Sequence, residues 1–245
     1  MTDGLVLVHG FPLDATMWEP QLTALGSDRV IAPSLPGFGG TPLSSPVMRM
    51  DAAADAVAAA ADEAGFDRVV LCGISMGGYV SFAFWRKYGD RVAGLVLANT
   101  KAEADDEAGK ERRQALADRL RTEGSQFLVD SPGPLLSANA PAEQWDRVRA
   151  IIEAQPAEAI ATASLGMAER ADSSRDLARI DVPTLVITST GDTLIPADVT
   201  RTIADRIPGA RLEVIMGAGH LSNIEAPDRF TDLLREQLLR SGVGL

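Results

Sequence analysis

Six short apolar runs set the frame for this chain: GLVLV (4–8), RVIAP (29–33), RVVLC (68–72), VAGLVLA (92–98), PTLVITS (183–189) and ARLEVIM (210–216). Each has about the length of a strand and is rich in Val, Ile and Leu. Most show no alternation of polar with apolar residues. A strand with one wet face alternates, whereas a strand covered on both faces does not. Between the runs lie stretches with helical spacing, at about 16–26, 51–65, 76–88, 197–207 and 227–241. Strand and helix in alternation predict an α/β protein of about six mostly parallel strands, with helices on both faces.

The rhythm breaks between residues 100 and 175. KAEADDEAGKERRQALADRLRTEG is strongly charged and spaced as an exposed helix. A turn-rich link, SPGPLLS, follows, and then two helix-like stretches near 141–154 and 156–170. No strand is predicted in this region. The division expected is a core domain of 1–99 and 176–245 with a helical cap, or lid, inserted at 100–175. An insertion of this length between neighbouring strands points to function.

Composition removes several classes of partner. There are 34 Asp plus Glu against 23 Lys plus Arg, a net charge of -11. Nucleic acid and anionic membrane surfaces both call for clustered positive charge, so neither is expected as a partner. No window reaches 18 consecutive apolar residues, so no membrane span is expected. The opening MTDGLVLVHGF has neither a basic region nor a long apolar one, so it does not read as a signal peptide, and the expected location is cytoplasmic. Cys72 is the single cysteine. It forms no intrachain disulfide, and beside the elbow described next it reads as a small buried residue.

The chemistry begins at CGISMGGYV (72–80). G-x-S-x-G is a weak pattern alone, but here it joins a buried strand to a helix. A serine at such a corner takes a strained backbone conformation that needs small neighbours, and Gly73 and Gly77 provide them. A serine hydroxyl is a poor nucleophile without a base. The chain has two histidines, His9 and His220. His220, in MGAGHLSNIEAP, follows the last predicted strand at the same sheet edge as Ser75. Asp192, in TSTGDTLIP, follows the strand before it and can fix the tautomer of the base. The order Ser75, Asp192, His220 is that of a hydrolase triad on a parallel sheet. An oxyanion needs two aimed N–H groups, expected from Met76 and from Phe11 in the loop HGFPLDATMW. His9 is then a structural residue that ties this loop, and Asp14 orders it.

These residues resemble the α/β-hydrolase family over essentially the whole chain. The motifs that carry the resemblance are HGFPLD (9–14), LPGFGGT (35–41), GISMGG (73–78), GDTLIP (191–196) and GAGHLSNIEAP (217–227). The elbow and the HLSNIEAP ending look most like 3-oxoadipate enol-lactonases and related small carboxylesterases. The resemblance implies Ser75 as nucleophile, His220 as base, Asp192 as acid, Phe11 and Met76 as oxyanion donors, and neither metal nor organic cofactor. The sequence departs from the family at its start. Only eight residues precede His9, so the strand pair usual there is expected to be missing. An exposed sheet edge follows, for which a homodimer is one cover.

The expected activity is hydrolysis of a carboxylic ester or lactone, with a small molecule as the partner. Perhydrolysis, carbon–carbon hydrolysis and acyl transfer use the same triad, and a small-molecule receptor shares the fold, so these readings stay open. Dehalogenation is disfavoured, since it needs a carboxylate at the elbow. Trp145, Ile195 and Leu221 are candidate substrate contacts. Trp18 and Trp85 read as packing residues, and the arginines of the insertion, Arg147, Arg149 and Arg170, as solvated surface.

Overall fold

The computed structural model describes residues 2–43 and 45–244. Strand β1 (Asp3–Val8) is followed by a short 3-10 turn, Ala15–Trp18, and by helix α1 (Glu19–Leu25). Next come β2 (Val30–Ile31), α2 (Met50–Glu63), β3 (Arg68–Ile74), α3 (Met76–Tyr88) and β4 (Val92–Ala98). Four helices then run in sequence: α4 (Glu107–Glu123), α5 (Gln126–Asp130), α6 (Ala142–Glu153) and α7 (Ala157–Ala168). The chain closes with β5 (Thr184–Ser189), α8 (Ala197–Arg206), β6 (Arg211–Ile215), α9 (Ser222–Glu225) and α10 (Pro227–Arg240).

The six strands form one sheet in the order β2-β1-β3-β4-β5-β6, and every pairing is parallel. The absence of polar alternation has a direct cause here. In β3, Val69 and Leu71 enter one buried cluster with α2 and α3, while Val70, Cys72 and Ile74 enter a second with α10. Both faces of the strand are therefore dry. The two sheet edges are blunt. β2 contributes two residues and runs into Pro33, which has no N–H to extend the ladder. β6 carries Arg211 and Glu213, paired with each other and with Glu236 and Arg229.

The sequence overestimates β2 and misses α5 and α9, which are too short for a periodic pattern to register. Helices α4 to α7 occupy the place of the predicted insertion, and α4 packs against α7. No helix among the described residues is long and apolar enough to cross a membrane.

A parallel sheet points all its C-terminal strand ends to one edge. The chain turns to opposite sides after β1 and β3, and a crevice opens there. Two close backbone approaches fix that point. A Cβ on Gly77 would strike the carbonyl of Val8 at the end of β1, and one on Gly73 would strike the backbone of Gly77. The obstacles are backbone atoms, which cannot swing aside. Gly77→Ala is expected to lower unfolding stability in urea by about 3 kcal/mol. Gly89→Ala, where an added Cβ meets nothing within 4 Å, is the control and stays within about 1 kcal/mol of the parent. Equal stabilities for the two variants would remove the steric account.

Candidate active site

Ser75 stands between β3 and α3 with φ 54° and ψ -116°, a left-handed conformation that a non-glycine residue rarely adopts. Three hydrogen bonds hold it there. Its N–H donates to Ala98 O at 3.0 Å, its carbonyl accepts from Thr100 Oγ1 at 2.8 Å, and Gly78 N–H donates to the same carbonyl at 2.9 Å. Both backbone groups are thus occupied, and the side chain is left at the mouth of the crevice. Gly10 lies close by: a Cβ there would touch Ser75 Cβ at 3.5 Å. The amides of Phe11 and of Met76, the residue after Ser75, have no acceptor among the described residues. The Phe11–Pro12 peptide is cis.

Asp192 follows β5 and receives four hydrogen bonds. Oδ1 accepts from the amides of Leu194 and Ile195, both at 2.9 Å. Oδ2 accepts from His220 Nδ1 at 2.8 Å and from Asn99 Nδ2 at 3.0 Å. Burial pushes this carboxyl up, but His220, the Ile195 amide and Asn99 outweigh it and hold the group below its ordinary value. An ionised carboxylate only accepts, so Nδ1 of His220 is the donor in this pair and Nε2 faces away from it. That Nε2 is buried and has no hydrogen-bond partner. Asn99 is buried just after β4 at φ 44°, and it donates to Ser189 Oγ at 2.7 Å and accepts from Ser222 Oγ at 2.7 Å. It locks the loops after β4, β5 and β6 together. Sequence reasoning missed it. The available signal was a polar residue directly after an apolar run at the edge already carrying Ser75.

A cavity of about 660 Å³ opens above Ser75, within the range of small-molecule sites. Its walls are Phe11, Tyr79 and Ile195 from the sheet side and Leu116, Ile152 and Met167 from α4, α6 and α7. Among the described residues no group of three His, Cys, Asp or Glu side chains is placed to hold a metal ion.

Residues 5–233 match the model of the alpha/beta hydrolase family. The chain belongs to that family. It is 31% identical to a pyrrolizixenacetamide deacetylase from Xenorhabdus hominickii, across 98% of this chain and 92% of the relative. A thermophilic esterase from Thermogutta terrifontis, solved with malate bound, superposes with a TM-score of 0.93 at 40% identity, covering 98% of this chain and 90% of the other. The enol-lactonase from Burkholderia xenovorans LB400 superposes with a TM-score of 0.88 at 27% identity, over 98% and 92%. Hydrolase is the coarse class this company supports.

Within this α/β-hydrolase, Ser75, Phe11 and Ile195 line the cavity. His220 and Asp192 lie behind it, paired and buried. Two expected contacts stand apart from the cavity lining. Trp145 packs half-buried among apolar residues of the core, with Arg149 over its ring at 5.8 Å, and Leu221 is fully buried with its N–H donated to Leu135 O. Neither is among the residues lining the cavity. Helical and loop positions next to site residues do not share their orientation. The solvated reading of Arg170 is corrected: its guanidinium is buried against Asp105 at 2.7 Å. Arg147 and Arg149 do sit at the surface, paired with Glu19 and Asp146. Trp18 packs fully buried on Phe230. Burial pushes the Cys72 thiol far up, which keeps it protonated and inert.

His9 has both ring nitrogens engaged. Nε2 accepts from Leu35 N–H at 3.0 Å and Nδ1 bonds Gly10 O at 3.0 Å. Asp14 caps the following turn and accepts from Gln155 at the end of α6. Burial, only partly offset by Gly10 O and Asp14, lowers the His9 pKa to about 4. The folded protein therefore stays unprotonated at His9 while the unfolded chain takes a proton near 6.5. Stability is lost as pH falls through this window, by roughly 3 kcal/mol between about pH 6.5 and 4. Guanidinium unfolding near pH 7 and near pH 4.5 checks this. His9→Asn is expected to flatten the dependence, and an unchanged slope in that variant would refute the assignment.

Proposed function

We propose that this chain is a serine hydrolase that cleaves a carboxylic ester or lactone through an acyl-enzyme. The reading rests above all on His220, whose Nδ1 is fixed by Asp192 while its Nε2 is buried and unpartnered. Such an imidazole is oriented as a base and lacks only its proton donor. Ser75 is that donor in this scheme: Oγ attacks the carbonyl carbon while His220 Nε2 takes its proton. Negative charge on the carbonyl oxygen is received by the N–H groups of Phe11 and Met76. His220 then protonates the leaving alcohol, the carbon–oxygen bond breaks, and Ser75 is acylated. Water gives its proton to His220, adds to the acyl carbon, and releases the acid as Ser75 recovers its proton. Every proton in this sequence is carried by residues of the chain, so the scheme calls for neither metal nor organic cofactor.

In this reading residues 100–175 are the cap that shapes the cavity over a core of 1–99 and 176–245. The chemistry needs one chain. A homodimer adds nothing to it, and both sheet edges are already blunt. The similar proteins, an esterase and an enol-lactonase, favour esters and lactones. The deacetylase places an acetamide as the second class to try.

Hydrolysis of p-nitrophenyl esters of rising acyl length, γ-lactones and an aryl acetamide is the deciding measurement, with labelling by a fluorophosphonate. Ser75→Ala is expected to lose about a thousandfold or more in kcat/KM and all labelling. Undiminished turnover in that variant, or a wild type that neither labels nor turns over, would sink the reading. Asn99→Ala probes how Asp192 is held. Its kcat is expected to fall about tenfold to a hundredfold with KM changed less than about twofold, because the substrate does not touch Asn99. A variant losing only stability, with kcat intact, would make Asn99 a packing residue.

A further inference from the structure

Helix α6 ends against the loop that carries the Phe11 amide, and one side chain makes the joint. Gln155, just beyond the end of α6, is buried at 3% exposure, and both ends of its carboxamide are in use. Oε1 accepts from Gly39 N–H at 2.9 Å, and Nε2 donates to Asp14 Oδ2 at 2.8 Å and to Ile151 O at 2.8 Å. Asp14 in turn accepts from Thr16 N–H at 2.9 Å through its other oxygen. Three segments distant in sequence thus meet on one amide: the loop after β1, the loop after β2 and the end of α6.

The joint is adjacent to the chemistry. Leu13 N–H donates to Gly10 O at 3.0 Å and closes a turn with Phe11 inside it and Asp14 as the next residue. The same loop is tied to the loop after β2 by Leu35 N–H to His9 Nε2 at 3.0 Å and by Ala15 N–H to Ser34 Oγ at 3.3 Å. Those bonds belong to the core, and Gln155 adds the helical insertion to them. On the cavity side, Ile152 lines the wall three residues before Gln155, and its carbonyl accepts Gln155 N–H at 3.0 Å. One end of α6 therefore touches both the space open to a substrate and the loop that bears Phe11. A glutamine with a plain packing role needs only to have its own polar atoms satisfied. This one satisfies Asp14, whose displacement would carry the Phe11 turn with it.

Resting on the serine-hydrolase reading above, we propose that Gln155 is a positioning residue for that reaction: by holding Asp14 it fixes the turn of the oxyanion loop, so that the Phe11 N–H is aimed only while α6 is seated on the core. Contact at Ile152 and stabilisation at Phe11 are then coupled through one side chain. The effect belongs to the transition state, where the carbonyl oxygen carries charge, and not to ground-state binding.

The test reads kcat and KM for a p-nitrophenyl ester together with Ki for an aryl trifluoromethyl ketone. The ketone carbon bonds to Ser75 Oγ, its oxygen becomes an oxyanion, and the serine proton passes to His220. Gln155→Leu is expected to lower kcat about tenfold to a hundredfold, to raise the ketone Ki by a similar factor, and to change KM less than about threefold. Gln155→Glu sets two buried carboxylates against each other and is expected to lose activity. Adding Asp14→Asn to it reverses the pair, with an amide donor facing a carboxylate, and is expected to recover most of that loss. This rescue decides the matter even if Gln155→Leu does not fold. Ser164→Ala removes a buried bond from α7 to Arg113 O inside the insertion and is the control, with kcat within about twofold of the parent. An unchanged kcat in folded Gln155→Leu, a change confined to KM, or a double variant no better than Gln155→Glu would overturn the proposal. A wild type that neither turns over the ester nor binds the ketone discards the hydrolase reading instead. Hydrogen exchange of residues 10–17 then decides the joint by itself: faster exchange in Gln155→Leu retains it, and unchanged exchange discards it.

Discussion

The crossing of backbones at the end of β1 and the start of α3 is the constraint on which the site depends. Gly77 lies against the carbonyl of Val8, Gly73 lies against Gly77, and Gly78 lies against Thr100. With no side chains between them, the helix can begin directly at the sheet edge. Ser75 is then forced into the left-handed region, and its amide and carbonyl are taken up by Ala98, Thr100 and Gly78. A serine in that conformation cannot relax into the helix or the strand. Strain of this kind persists only where the surroundings over-determine it, and here three hydrogen bonds and the glycine contacts do so.

From that corner the polar network spreads along the strand ends. Asn99, one residue beyond the carbonyl that holds Ser75, reaches Asp192, Ser189 and Ser222. Ser189 in turn donates to Gly219 O, and Glu225 accepts from Gly219 N–H and Ser137 N–H. The loop bearing His220 is therefore tied both to the sheet and to the link between α5 and α6. The two histidines show how hydrogen bonding divides one residue type into two roles. His9 has both nitrogens engaged and is fixed neutral by burial, whereas His220 has one nitrogen anchored and the other open. An engaged nitrogen ties a loop, while an open one in a buried place is free to exchange a proton.

Charge is organised on a second scale. The acidic surplus of the whole chain says nothing about the cavity, because three cations converge on Asp105 where α4, α7 and the segment after β4 meet. Those residues come from positions 101, 113 and 170, all between β4 and β5. Arg170 reads in the sequence as one more surface arginine. Folding buries it because Asp105, Tyr79 and two backbone carbonyls meet its guanidinium there.

The sequence by itself determined the sheet, the helices on its two faces and the residues that stand at the strand ends. Those properties are local or nearly so: a run of Val, Ile and Leu without alternation has to be covered on both sides, and a parallel sheet sends every strand end to one edge. The family resemblance and the order Ser75, Asp192, His220 were legible for the same reason. Only the tertiary structure decided which side chains at that edge share space. It brought Asn99 to Asp192, turned Trp145 and Leu221 into the core, shortened β2, and gathered three cations around Asp105. Each of these depends on how helices separated by tens of residues pack and rotate against one another. Periodicity fixes which face of a helix is apolar, but not which neighbour that face will meet.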